Sequence, residues 1–366
     1  MAIARRERVP LAQHCTLEVG GPARWMLECR DAADVRDAVL WARDRELPLL
    51  VLGGGSNVLI ADRGFPGAVL RVLSSRVERV EKGAESAVLR ADAGADWQQL
   101  VDLAVAEGLG GLECLAGIPG WCGAAPIQNI GAYGQEVAER LVRVHAVDRE
   151  TARSAVLPAP ECGFGYRQSA FKGAWRGRYV VTAIDLELPR RRFGEARYGE
   201  LRRRLAARPG GPEAPLAAVR DAVLELRREK SMVLDAEDPN RRSAGSFFVN
   251  PVVSEEQARE VERRARAAGR GRELPRYAAE GGGVKLPAAW LIEEAGFGKG
   301  YGEGAAGLST RHCLALVNRG GASARDLVAR AVEIQRGVAG AFGVRLRPEP
   351  VLVGFEEDPG AAELLA

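Results

Sequence analysis

The chain has 366 residues, 46% of them apolar, and a net charge of only +3 from 52 basic and 49 acidic side chains. That length suggests two or three domains and makes a cleft between domains a reasonable place for a site. The balanced charge argues against nucleic acid as a partner, which calls for a concentrated basic face, and no apolar run approaches the roughly 18 residues of a membrane-spanning helix.

Taken in chain order, residues 17–30 read as strand, glycine turn and strand. Residues 31–46 read as a helix, with Asp31 as N-cap and an apolar stripe through Val35, Val39 and Leu40. Pro48 opens PLLVLGGGSNVLIA, two short β-rich runs around a glycine turn. The turn leads straight into another strand, so GGGSN is not the dinucleotide fingerprint GxGxxG followed by a helix. Short strands continue through 66–94, and a helix capped by Asp96 follows at 96–107.

The stretch Gly108–Gly134 holds eight glycines in 27 residues. Glycine costs backbone entropy, so this density implies either a series of tight turns or backbone pressed against a flat or phosphorylated ligand. Strand-like alternation returns over 141–190, and a charged helix is expected over 213–230. Residues 235–251 read as a loop that opens a second region. That region has helices near 254–268, 288–296 and 323–341, a strand at 312–318, and a closing strand pair over 345–355. The arginine runs, such as Arg190–Arg192 and Arg202–Arg204, read as solvated surface. The six cysteines form no CxxC pair, which leaves zinc and dithiol chemistry without support, and no metal site is expected. No secretory signal is visible, so the expected compartment is the cytoplasm.

Five segments in order, GGGSNVL (53–59), IPGWCGAAPIQNIGAYG (118–134), CGFGYRQSAFK (162–172), SAGSFFVNP (243–251) and PEP (348–350), together resemble the UDP-N-acetylenolpyruvoylglucosamine reductase family. HCTLEVGGPA (14–23) and KLPAAWLIEEAG (285–296) fit as well, so the resemblance covers nearly the whole chain. RYGEL (197–201) is similar to the form of the family in which a tyrosine-bearing loop closes over the substrate. The resemblance implies an α+β fold: a two-subdomain FAD-binding region of the FAD-linked oxidase type and a C-terminal α+β substrate-binding domain. The expected boundaries are 1–73, with 345–366 returning to it, then 74–230 and 231–344. The implied reaction is NADPH-dependent reduction, through non-covalent FAD, of UDP-N-acetylglucosamine enolpyruvate to UDP-N-acetylmuramate. The partner is a small UDP-sugar, with neither nucleic acid nor membrane involved, and a monomer is expected.

Reducing an enol ether conjugated to a carboxylate requires a hydride source, fixed charge where negative charge develops, and a proton donor at the neighbouring carbon. The resemblance assigns the charge to Arg167, whose guanidinium can grip a carboxylate bidentately. It assigns the proton to Ser246, a weak acid that needs a relay or a very basic carbanion. Glu349 is placed opposite, either neutral and donating to the developing enolate or anionic and orienting Arg167. On the residues alone, Arg167 reads as a loop brace, Ser246 as part of a glycine turn and Glu349 as an ordinary strand-end glutamate.

Gly54, Gly55, Ser56 and Asn57 are expected at the FAD pyrophosphate as a backbone nest. Gly120, Gly123 and Ala124 are small enough for close approach, Ile118 and Ile127 can pack on the flavin, and Gln128 and Asn129 offer amides or else cap turns. Tyr133, Tyr198, Lys230 and Asn250 match substrate positions for the uridine nucleotide and its phosphates. Val249, and Pro350–Val351 after Glu349, stand where some members carry a basic residue. Two competitors are a flavin-linked aldonolactone or alcohol oxidase of the same fold and a non-catalytic flavin-binding module. The first often tethers FAD through histidine, and none of His14, His145 and His312 lies in the glycine segments.

Overall fold

The computed structural model describes residues 3–208, 211, 213–270, 272–279 and 281–366. The chain forms two compact units. The first takes in the chain up to Val9, Ala23–Gly54 and Pro66–Leu234; the second takes in Pro10–Pro22, Gly55–Phe65 and Asp235–Ala366.

The first unit carries two sheets. One has the strand order Ala4–Pro10, Pro22–Cys29, Phe65–Val72, Leu49–Val51, the last two in parallel. Its helix Ala32–Arg43 begins where expected, with the Asp31 carboxylate accepting from the Asp34 N–H. The other is a five-stranded antiparallel sheet ordered Ser154–Pro158, Leu141–Asp148, Tyr179–Pro189, Ser86–Asp92, Val77–Lys82. Helix Trp97–Ala106, capped by Asp96, buries Trp97, Leu100, Val101, Ala104 and Val105 on one face. The Trp97 indole is 1% exposed, and its Nε1–H donates to the Leu115 carbonyl at 3.0 Å. The apolar ring thus anchors the start of the glycine-rich stretch while its polar edge is satisfied. Helix Leu216–Glu229 packs against the turn Glu113–Leu115.

The second unit is built on an antiparallel sheet ordered Ser243–Ser246, Ala315–Asn318, Ala306–Leu308. Its long helix Ala324–Phe342 starts with a capping box of Ser323 and Asp326 and stops at left-handed Gly343. Short N-terminal segments are tied into this unit by polar contacts. Thr16 Oγ1 donates to the Ser243 carbonyl at 2.5 Å, Asn318 Nδ2 donates to the Leu17 carbonyl at 3.0 Å, and the Glu18 carboxylate pairs with Arg241 and Arg242. Asp62 accepts from the Ala324 and Arg325 N–H groups at 2.7 and 3.1 Å, a carboxylate at a helix N-terminus.

Three expectations need correction. Residues 17–19 are not a strand; that segment is a loop held by the Asn318 and arginine contacts, and only Pro22–Cys29 is extended in register. Ser243–Ser246 is a strand rather than loop, its small residues paired with Ala315–Asn318. The closing pair is one strand, Val351–Val353, which finds its partner in parallel with Val58–Ile60 instead of with its own neighbour.

Candidate active site

In the second unit, the strand Ser243–Ser246 sets Ser246 opposite Ala315. Gly245 precedes it at φ +72, a left-handed turn natural to glycine. Phe247 and Phe248 follow, 1% and 2% exposed, their rings edge to face at 5.2 Å. These two anchors leave the half-buried serine hydroxyl on a fixed backbone.

The PEP segment lies alongside. The Val249 N–H donates to the Arg347 carbonyl at 3.0 Å and the Glu349 N–H donates to the Phe247 carbonyl at 2.8 Å. Asn57 joins from the other side: its Nδ2 donates to the Glu349 carbonyl at 3.4 Å, and its own carbonyl accepts from the Val351 N–H at 3.0 Å. Ser246, Glu349 and Asn57 are therefore held on three adjoining segments of one unit. Asn250 caps a helix, its Oδ1 accepting from the Ala288 N–H at 2.9 Å. Gly55 sits at φ +66 with a Cβ position 2.0 Å from the His14 carbonyl oxygen, so no side chain fits.

Arg167 belongs to the first unit. Its backbone is left-handed at φ 55, a conformation that costs a non-glycine residue about 1 kcal/mol or more. Its Nη2 donates to the Gly131 carbonyl at 2.7 Å, and Lys172 Nζ donates to its carbonyl at 2.8 Å. Asn129 and Tyr133 share the same unusual backbone, each at φ 49. The Asn129 side chain turns inward: Nδ2 donates to Glu136 at 2.6 Å and to the Gly165 carbonyl at 3.1 Å, and Oδ1 accepts from the Ala138 N–H at 3.0 Å. It ties the IQNIGAYG turn to the GYR turn, which is the turn-capping alternative. Gln128 and Ile127 are half-buried next to it, and the Ile127 carbonyl accepts from Ser169 Oγ at 2.5 Å.

The substrate candidates of this unit form a cluster. The Tyr133 and Tyr198 rings meet edge to face at 5.8 Å, Lys230 Nζ lies 5.9 Å from the Tyr133 ring centroid, and it pairs with Glu200 Oε2 at 2.6 Å. Tyr198 is 45% exposed at the N-cap of helix Gly199–Ala206, so RYGEL is the start of a helix as well as part of a loop. Burial pushes the Tyr133 hydroxyl up to about 12.

Arg227, which sequence reasoning missed, lies within electrostatic range of this cluster. Burial pulls its pKa down to about 10, Tyr133 and Arg167 lie within electrostatic range, and its Nη2 donates to the Met232 carbonyl at 2.7 Å. Its signal was available: it lies three residues before Lys230, the spacing of one helix face.

The glycine turns of the first unit fit a flat, phosphorylated cofactor such as FAD. A Cβ on Gly54 would come 3.0 Å from the Gly120 Cα, and one on Gly123 would come 2.5 Å from the Ala93 Cβ. The Gly123 N–H donates to the Ala93 carbonyl and the Trp97 N–H to the Gly120 carbonyl, at 2.9 and 3.0 Å. At Gly123 no side chain fits, and at Gly54 one fits only if the neighbouring backbone gives way. Ile118 is half-buried and Ala124 exposed on this turn. Among the described residues, no cluster of three or more His, Cys, Asp or Glu could hold a metal ion, and no helix is long and apolar enough to cross a membrane.

Comparison with known proteins adds to this geometry. Residues 23–153 match the family model described as FAD binding domain, and residues 238–353 match that described as UDP-N-acetylenolpyruvoylglucosamine reductase, C-terminal domain. The fold class read from the sequence, an FAD-binding region with a C-terminal α+β domain, is therefore the one found. The UDP-N-acetylenolpyruvoylglucosamine reductase of Thermobifida fusca is 49% identical over 359 residues, 97% of this chain and 99% of that protein. The protein of the same name from Salinispora arenicola is 47% identical over 348 residues, 94% of each. A solved structure of the UDP-N-acetylenolpyruvylglucosamine reductase from Thermus caldophilus aligns with a TM-score of 0.64 at 27% identity, covering 96% of this chain and 99% of that one.

Proposed function

Because the chain belongs to the UDP-N-acetylenolpyruvoylglucosamine reductase family, we propose that its named site residues carry that family's roles. The enzyme is an FAD-dependent oxidoreductase that uses NADPH to reduce UDP-N-acetylglucosamine enolpyruvate to UDP-N-acetylmuramate, a step in peptidoglycan precursor synthesis. Bound FAD would supply the hydride chemistry at the terminal carbon of the enolpyruvyl group, with NADPH as the electron donor.

The chain's own residues do the rest. Arg167 counters the negative charge that spreads onto the substrate carboxylate, and its guanidinium geometry suits that anion. Ser246 gives a proton to the neighbouring carbon and regains one from solvent. Glu349 either donates, as the neutral acid, to the developing enolate or, as an anion, orients Arg167, and the observation that carries its place beside Ser246 is their adjacency through the Phe247 carbonyl. Tyr133, Tyr198, Lys230 and Asn250 bind the UDP-sugar. Gly54, Gly55, Ser56 and Asn57 would offer donors to the pyrophosphate of FAD, and Ile118, Gly120, Gly123, Ala124, Ile127 and Gln128 would hold it on their own turn, with Asn129 bracing that turn from within.

We further assign residues 1–73, with the returning segment 345–366, and residues 74–230 to the two FAD-binding subdomains, and 231–344 to the substrate domain. The pairing of Val351–Val353 with Val58–Ile60 supports the return. The enzyme acts as a cytoplasmic monomer. The test is an anaerobic visible spectrum: NADPH bleaches the bound flavin, and stoichiometric enolpyruvyl substrate restores it. A flavin that bleaches but never recovers with substrate would leave a non-catalytic module as the better reading.

A further inference from the structure

The turn at 53–57 can offer backbone N–H groups to a pyrophosphate, yet GGGSN carries no cationic side chain. A source of charge lies one strand away in the first unit. Leu49–Val51 runs parallel to Phe65–Val72, and the Leu52 N–H donates to the Leu70 carbonyl at 2.9 Å, which sets Arg71 level with the start of the turn. The Arg71 guanidinium carbon stands 4.6 Å from the centroid of the Trp121 ring, within cation–π range.

Trp121 in turn flanks the glycines. A Cβ on Gly54 would come 3.5 Å from its Cδ1, and one on Gly53 would come 3.9 Å from its Cε3. The Trp121 backbone is fixed by an antiparallel bridge to Asp96. Arg71 is half-buried, and burial lowers its pKa from the ordinary arginine value, although a guanidinium stays charged at neutral pH. A partly desolvated cation is screened less than one on the surface, and Glu28, the carboxylate within its electrostatic range, is itself paired with Arg6.

We propose that Arg71, held by Trp121, is the cationic back-stop for the pyrophosphate of FAD bound at this turn. The two are a positioning pair: they act on cofactor retention and not on the reacting atoms. The inference rests on the placement of FAD given above.

The test is the FAD affinity of the apoprotein, read from quenching of flavin fluorescence. Arg71→Leu and Trp121→Ser each weaken FAD binding by roughly tenfold or more. Arg71→Lys and Trp121→Phe, which keep the charge or the ring, stay within roughly threefold of wild type. The Arg71→Leu/Trp121→Ser double variant is no weaker than its weaker parent, because the pair acts as a unit. The conservative variants keep the packing, so the charge comparison stands even where a truncation folds poorly. Wild-type affinity in Arg71→Leu, or equal loss in Arg71→Leu and Arg71→Lys, overturns the proposal. Gly54→Val separates the two ideas. If it loses FAD while Arg71→Leu keeps it, only the back-stop fails; if both keep it, the placement of FAD fails.

Discussion

Glu349 donates its backbone N–H to the carbonyl of Phe247 at 2.8 Å. The bond crosses 102 positions of sequence and sets a carboxyl side chain next to the residue that follows Ser246. A strand that must pair there explains why a proline-flanked glutamate can be held in place: Pro348 and Pro350 lack N–H groups, and the one donor between them is satisfied.

Gly55→Ala is expected to destabilise the second unit. The residue sits at φ +66, and the new Cβ would lie 2.0 Å from the His14 carbonyl oxygen. Left-handed strain and the clash together cost about 3 kcal/mol or more, a fall in melting temperature of roughly 5–10 °C. Gly269→Ala is the control, since Gly269 has φ +69 with open space around its Cβ position; it costs about 1 kcal/mol. Equal losses in thermal melts would contradict the steric argument.

Lys230→Met is expected to raise the KM for the UDP-sugar by roughly tenfold, the loss of one charge-assisted contact, and to leave flavin reduction by NADPH near normal. Lys230 is held beside the Tyr133 ring by Glu200, so Glu200→Gln should have a smaller effect in the same direction. Steady-state kinetics with the two half-reactions measured separately would check this.

Asp185 predicts a pH dependence of stability. It is fully buried, with Arg90 Nε and Nη2 donating to its two oxygens at 2.7 and 2.8 Å, and Arg143 Nε and His145 Nε2 standing 2.8 and 3.1 Å from its Oδ2. Burial alone would raise its pKa, but Arg90 and His145 outweigh it and hold the carboxyl well below the usual range. The folded pKa is thus below the unfolded value of about 4, so the stabilisation is fully present above pH ~4 and is lost as pH falls below it. Asp185→Asn should cost about 2–4 kcal/mol at pH 7, and the gap from wild type should narrow in urea melts below pH 4. A gap that does not change with pH would contradict this.

Local signals were the legible ones. Asp31 and Asp96 marked helix starts because a cap is a contact between residues three apart in sequence. The Ser243–Ser246 strand was not legible, because its four small residues have no apolar alternation and its partner lies some seventy positions later. Val351–Val353 was read as part of a closing strand pair for a related reason: local pattern cannot show a parallel partner as distant as Val58–Ile60.

For the candidate site residues, the sequence offers side-chain chemistry and hides conformation. The left-handed backbones of Asn129, Tyr133 and Arg167 depend on the contacts that hold them. So does the inward turn of Asn129, whose amide looks the same in sequence whether it meets a cofactor or a neighbouring loop.

The most direct test of the central claim follows the two half-reactions of Ser246→Ala separately by anaerobic stopped flow. With Ser246 as the proton donor, flavin reduction by NADPH stays near the wild-type rate, and flavin reoxidation by the enolpyruvyl substrate slows by roughly 10²–10⁴-fold, the usual contribution of a positioned general acid. Equal loss in both half-reactions, or a wild-type rate of reoxidation, would contradict the assignment.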